Sequence, residues 1–166
     1  MRKLNKLYLI TGPAGVGKTT ISKALAQNLQ KSILIEGDDI YHMVKGGYVS
    51  AWLEGNHLKL FWKNCISLIE NGLSEGYDVV FNYIIKKQDF EMLKEKFNEY
   101  DVIFKVLLVD EKELLRRDSL RSEDCRMNER CLVLLNNFKN QNFNSKYVID
   151  ITSLNIDETL NIVMKG

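Results

Sequence analysis

The sequence predicts an α/β protein built on a doubly wound parallel sheet. Apolar runs that suit strands alternate with segments of helical periodicity. Most of those runs are continuous rather than alternating, as strands covered on both faces require. The first run, Leu7-Tyr8-Leu9-Ile10, leads into Gly12-Pro13-Ala14-Gly15-Val16-Gly17-Lys18-Thr19, a G-x-x-x-x-G-K-T loop opening a helix-prone stretch.

Each element has its own justification. Ile21, Leu25 and Leu29 recur at helical spacing and predict a helix over Thr19–Gln30. Ser32–Ile35, Val79–Phe81, Val102–Val109 and Tyr147–Ile151 read as the remaining strands. Leu58, Phe61, Trp62, Cys65, Ile66, Leu68, Ile69 and Leu73 form a wide apolar stripe on a long helix, with Gly76 placed as its stop. Shorter helices are predicted around Phe90–Phe97, Leu114–Leu120, Leu132–Phe138 and Ile156–Met164. Parallel strands need right-handed crossovers, and ligands of such sheets gather at the carboxyl ends of the strands.

The glycine loop sets the chemistry. Its backbone N–H groups and those of the first helical turn can wrap a polyphosphate. Lys18 supplies a mobile positive charge for the β- and γ-phosphates, and the Thr19 hydroxyl is placed to ligate Mg²⁺. The second strand ends in Glu36-Gly37-Asp38-Asp39. A carboxylate there can orient an acceptor hydroxyl, take its proton, or serve the metal. Asp38 is the candidate for both roles. The competing reading is that Asp38 or Asp39 caps a helix over Ile40–Val44, with Glu36 a strand-end salt-bridge partner. His42 lies one turn after Asp38 and is a candidate substrate contact, the competing reading being a solvated or core-edge histidine. Residues 46–56 read as a loop over the substrate side, where Tyr48 and Trp52 either line a pocket or pack back on the domain.

Leu114-Leu115-Arg116-Arg117-Asp118-Ser119-Leu120-Arg121 follows the fourth strand, and its arginines at positions 117 and 121 are expected to share a helical face. One guanidinium can stack on a purine while the other reaches phosphates. Arg126 and Arg130 continue into a charged segment, 122–130, that reads as a lid. The alternative is a solvated face in which Asp118 and Glu123 balance the arginines.

The bulk numbers bound the partners. A length of 166 residues predicts one domain over 1–166, with a substrate-side segment at about 38–75 and a lid at about 117–131. A net charge of +1 gives no electrostatic case for nucleic acid or membrane. No apolar run reaches the length of a membrane span, and no leader is evident, so a cytoplasmic protein is expected. Cys65, Cys125 and Cys131 have no metal spacing and read as reduced thiols. Oligomeric state is not legible.

G-P-A-G-V-G-K-T, then I-E-G-D, then L-x-x-R-x-x-x-R (Leu114, Arg117, Arg121) resemble, in order and spacing, the small P-loop kinases. That group includes gluconate, shikimate and adenylylsulfate kinases and chloramphenicol phosphotransferase. Nearly the whole chain takes part, with gluconate-kinase-like proteins nearest. The resemblance implies a three-layer P-loop NTPase fold with a five-stranded parallel sheet of order 2-3-1-4-5. It implies ATP and Mg²⁺, with transfer of the γ-phosphoryl group to a small molecule. Gly12 to Thr20 would hold phosphates, Thr19 and Asp38 the metal. Asp38 would face the acceptor hydroxyl, Arg117 the adenine and Arg121 the phosphates, while the loop around Thr152-Ser153-Leu154 would edge the adenine. Trp52, Asn82 and Arg130 complete the candidate acceptor residues.

Two departures stand out. The third strand ends in Asn82, where many members carry aspartate, and an amide is neither a base nor a charge. The S-Q-F-x-x-L-E pattern of gluconate kinases has only a loose counterpart in Val133–Phe138. A sugar acid such as gluconate therefore stands beside nucleosides, polyols and hydroxylated antibiotics as acceptor. A nucleotide-binding regulatory module without transfer is the alternative from another class.

Overall fold

The computed structural model describes residues 5–165. The expected bounds of 1–166 therefore include residues 1–4 and 166, which lie outside the described part. Five parallel strands form one sheet in the order β2-β3-β1-β4-β5. They are β1 (Lys6–Thr11), β2 (Ser32–Glu36), β3 (Asp78–Asn82), β4 (Asp101–Leu108) and β5 (Val148–Asp150). The helices are α1 (Lys18–Asn28), α2 (Gly37–Tyr41), α3 (Leu58–Ser74), α4 (Lys87–Lys96), α5 (Glu111–Ser119), α6 (Glu129–Asn140) and α7 (Ile156–Met164). The expected order and fold class are those observed.

The pleat sorts the core into two layers, because successive side chains leave a strand on opposite faces. Leu7, Leu9, Val79, Phe81, Phe104 and Val106 pack with Phe61, Cys65, Ile69 of α3 and Phe90 and Leu93 of α4. Tyr8, Ile10, Val80, Ile103 and Leu107 pack on the other face with Ile21 and Leu25 of α1, Leu135 of α6, and Leu160 and Val163 of α7. Both layers are dry, which is why the strands read as continuous apolar runs. Cys65, Cys125 and Cys131 are free thiols, and burial pushes Cys65 up to about 12.

Three local expectations are corrected. The short helix after β2 begins at Gly37, so Asp38 and Asp39 sit inside its first turn and do not cap it. Their charges still complement the helix N-terminus there. Helix α5 ends at Ser119, with Leu120 as its C-cap. Arg121 therefore lies past the helix and does not share a helical face with Arg117. The segment from 122 is not free-standing either. Asp118, buried, accepts the backbone N–H of Met127 at 3.0 Å and of Asn128 at 2.7 Å, tying the lid back to α5. The reading of Asp118 as mere surface balance fails for that reason.

Close approach dictates one glycine. A Cβ on Gly37 would stand 2.6–2.8 Å from the Tyr83 ring. Gly37→Ala is expected to cost about 1–3 kcal/mol through overpacking, read as a lower denaturation midpoint with an unchanged m-value. A second expectation concerns acid. Glu113 is the acceptor for both Arg116 and Arg117, and these hydrogen bonds bring its carboxyl down to about 2. A carboxyl that titrates lower folded than unfolded stabilises fully above its unfolded range and loses that contribution as pH falls through its folded value. Glu113→Gln should lower the melting temperature at neutral pH, and the gap from the parent should shrink as pH drops toward 2. A constant gap across that window would contradict the pairing.

Candidate functional site

The site is assembled where β1, β3 and β2 end side by side. After β1 the chain enters the glycine loop, and Gly12 lies so close to β4 that a Cβ would overlap the Leu107 carbonyl. Gly12 also has φ +149°, which side-chain-bearing residues rarely adopt. The buried Thr11 hydroxyl accepts the Ile85 N–H at 2.8 Å, fixing the segment after β3 against the loop. Pro13 contributes its carbonyl, which accepts from Lys18 Nζ at 2.9 Å and from the Val16 N–H at 3.4 Å. Lys18 thus folds back over its own loop. Burial lowers its pKa to about 8, Asp38 and Glu36 act to raise it, and Arg121 acts to lower it. These four charges share one electrostatic neighbourhood.

The strand order brings Asn82 between Glu36 and Thr19. Its side-chain amide donates to Thr19 Oγ1 at 3.2 Å and to Glu36 Oε2. Asn82 therefore lies beside the phosphate loop rather than among the acceptor-side residues. The second Glu36 oxygen, Oε1, is buried with no partner. Burial raises the Glu36 pKa, with the Asn82 hydrogen bond acting the other way. An orphaned carboxylate oxygen, joined to the Thr19 hydroxyl through the Asn82 amide, suits a hydrated divalent cation, which takes hard oxygen donors. Glu36, set aside in the sequence as a salt-bridge partner, belongs to this cluster, and the strand-end run I-E-G-D was its signal.

Arg117 and Arg121 diverge. Arg117 donates to the Val16 carbonyl at 2.7 Å and to Glu113 at 2.6 Å, and stands 3.4 Å from where a Gly17 Cβ would lie. It lines a cleft of about 840 Å³ together with Gly15, Gly17, Thr20, Ile151 and Leu154. The cleft opens between the loop and the start of α7, the side expected for a nucleotide base. Arg121 lies past α5, with its buried Nη1 3.6 Å from the Asp118 carboxylate, an ion pair longer than a hydrogen bond. Ala14 completes the loop, partly buried, and Thr19 and Thr20 are exposed at its mouth.

On the other side of Asp38 lies an aromatic cluster. Tyr83 approaches Gly37, and burial followed by the Asp38 charge raises its pKa. Tyr41 stacks on His57 at 4.1 Å and donates its hydroxyl to the Val49 carbonyl at 2.7 Å. His42 is exposed and stacks on Tyr48 at 5.6 Å. Trp52 is 67% exposed, with the Arg130 guanidinium 4.5 Å above its ring. The lid and the acceptor-side loop therefore touch through two candidate residues that the sequence alone could not pair. Tyr83 and Asp118 carried no signal beyond their residue types. Among the described residues no group of three or more His, Cys, Asp or Glu could hold a metal by itself, and no helix is long and apolar enough to cross a membrane.

Comparison with known proteins follows the geometry. A family model described as AAA domain (AAA_18) matches residues 9–144. The guanylate kinase of Prochlorococcus marinus is 26% identical over 188 aligned residues, spanning 99% of this chain and 98% of that protein. A tunicamycin resistance protein from Deinococcus radiodurans superposes with TM-score 0.71 at 15% identity, covering 97% of this chain and 94% of that one. A gluconokinase from Sinorhizobium meliloti gives 0.65 at 18% identity, covering 99% and 93%. A shikimate kinase from Bacteroides thetaiotaomicron gives 0.60 at 18% identity, covering 97% and 95%. At these identities the structures establish a common fold and leave substrate open. The matched span takes in the glycine loop, the acidic turn and the arginine segment, so the chain belongs to the AAA_18 family (AAA domain) and is a P-loop kinase-like protein.

Proposed function

We propose that the protein is an ATP-dependent phosphotransferase that moves the γ-phosphoryl group of ATP to a hydroxyl of a small molecule. The observation that carries this reading is the cluster at the glycine loop, where Lys18 reaches the Pro13 carbonyl and Asn82 bridges Thr19 to Glu36, with Asp38 in the turn that follows Glu36. A site that only held nucleotide would need the cations. The carboxylate at Asp38, exposed on the acceptor side, is the part that serves transfer.

The roles follow from chemistry. Backbone N–H groups of residues 12–20 hold the phosphates. Lys18 trades the Pro13 carbonyl for phosphate oxygens, and Arg121, whose Nη1 is held at 3.6 Å by Asp118 without a hydrogen bond, turns to the charge that develops on the transferring group. Asp38 orients the acceptor hydroxyl and accepts its proton as the oxygen bonds to phosphorus. The bond from phosphorus to the β–γ bridging oxygen breaks, and ADP departs. Arg117 and Leu154 border the base. Mg²⁺ would neutralise phosphate charge, with Thr19 as ligand and Glu36 holding its water shell through the otherwise orphaned Oε1. Asn82 then orients Glu36 and Thr19, and Glu36 supplies the negative charge that an amide at the end of β3 lacks. A cytoplasmic location rests on the free thiols.

In a coupled ADP-release assay over candidate acceptors, Lys18→Ala should abolish transfer. Asp38→Asn should lower kcat by roughly a hundred- to ten-thousand-fold while the Kd for ATP stays within a few-fold. Normal turnover by both variants would place the chemistry elsewhere. Glu36→Gln should weaken divalent-cation binding to the ATP complex by roughly ten- to a hundred-fold, measured with Mn²⁺ by electron paramagnetic resonance. Unchanged Mn²⁺ affinity would remove Glu36 from the metal site.

A further inference from the structure

We infer that Asp118 is a positioning residue for Arg121: its buried carboxylate holds one end of the guanidinium, so that Arg121 meets the γ-phosphate of the nucleotide from a fixed side. The inference rests on the phosphotransferase reading, in which Arg121 serves the transferring group, and adds a residue that acts through it.

The two oxygens of Asp118 divide their partners. Oδ2 accepts the backbone N–H of Met127 at 3.0 Å and of Asn128 at 2.7 Å. Oδ1 shares the Met127 N–H at 3.0 Å and stands 3.6 Å from Arg121 Nη1. Both backbone donors are therefore met at Oδ2, by an oxygen that an asparagine would supply as well. What asparagine lacks is the charge, and Arg121 is the cation that pairs with it among the described residues. A carboxylate left 2% exposed is costly unless it is compensated. The backbone bonds explain a polar side chain at position 118, and the arginine explains a charged one.

Arg121 has the complementary need. It follows Leu120, the C-cap of α5, so no helix sets the direction of its side chain. Its backbone is held on both sides: the N–H donates to the Asp118 carbonyl at 3.1 Å, and the carbonyl accepts Arg126 Nε at 3.0 Å. The side chain is 37% exposed, yet Nη1 is buried and makes no hydrogen bond. The Asp118 pair is thus what tethers the guanidinium. Arginine carries large rotamer entropy, and a tether in place before nucleotide arrives removes part of that cost from the binding step. The guanidinium is a rigid fork with several donors, so Nη1 can stay with Asp118 while the other nitrogens take phosphate oxygens.

The test is calorimetric titration of the intact protein with MgATP and MgADP, the ratio of the two Kd values reading what the γ-phosphate contributes. Arg121→Ala should lower the preference for ATP by roughly tenfold or more, and Asp118→Asn by roughly three- to tenfold, with the Kd for ADP within about threefold of the parent in both. The double variant should be no worse than Arg121→Ala, because residues that act as one unit do not add. A carboxylate that merely holds the fold together would weaken both nucleotides alike and would go on doing so without Arg121. Either result would overturn the inference, as would a parent-like ratio in Asp118→Asn. Should Asp118→Asn fail to fold, Arg121→Lys decides. A single ammonium cannot be divided between Asp118 and phosphate, so the preference should fall nearly as far as in Arg121→Ala, and a parent-like ratio would sink the idea. An unchanged ratio in Arg121→Ala would remove Arg121 from the phosphates and the inference with it. The expected pattern in a protein that transfers to no acceptor would sustain the positioning role and defeat the phosphotransferase instead.

Discussion

The insertion of β3 between β1 and β2 is the constraint on which the site depends. It separates the strand that feeds the glycine loop from the strand that delivers the acidic turn by one strand width. Asn82, at the end of the intervening strand, is thereby within reach of Thr19 on one side and Glu36 on the other. A sheet with β2 next to β1 would crowd the carboxylates onto the loop. The order observed keeps them one strand apart, with a neutral amide between. A carboxylate at position 82 would add repulsion to Glu36, a group already destabilised by burial, whereas the Asn82 amide donates to it.

The dry layers on both faces of the sheet are what keep this arrangement rigid. Phe61 and Tyr83 lie 4.4 Å apart, and Tyr83 fills the space that Gly37 leaves. Packing from α3 therefore reaches the first turn of α2 directly. The backbone at Asp38 is thus positioned by the core contacts of its neighbours Gly37 and Tyr41, while its side chain is exposed.

Much of this was legible in the chain. The glycine loop, the continuous strands, the strand order and the placement of Lys18, Thr19 and Asp38 follow from local pattern and family resemblance. Elsewhere local pattern misled. Periodicity carried the arginine helix through Arg121, yet the chain turns at Leu120 because Asp118 is drawn inward to serve Met127 and Asn128. Glu36 looked like any strand-end acid, since only the sheet order reveals that an amide stands between it and Thr19. Trp52 and Arg130 meet across elements distant in sequence, and no periodicity reports such a pairing.

The buried carboxylate of Asp118 has a mechanical consequence. It pairs with Arg121 and also grips the two residues that precede α6, whose first turn carries Arg130. The side chain of Arg121 and the start of the helix that carries Arg130 are thus fastened to the same buried carboxylate, so that loss of the Asp118 charge would free both arginine-bearing segments together.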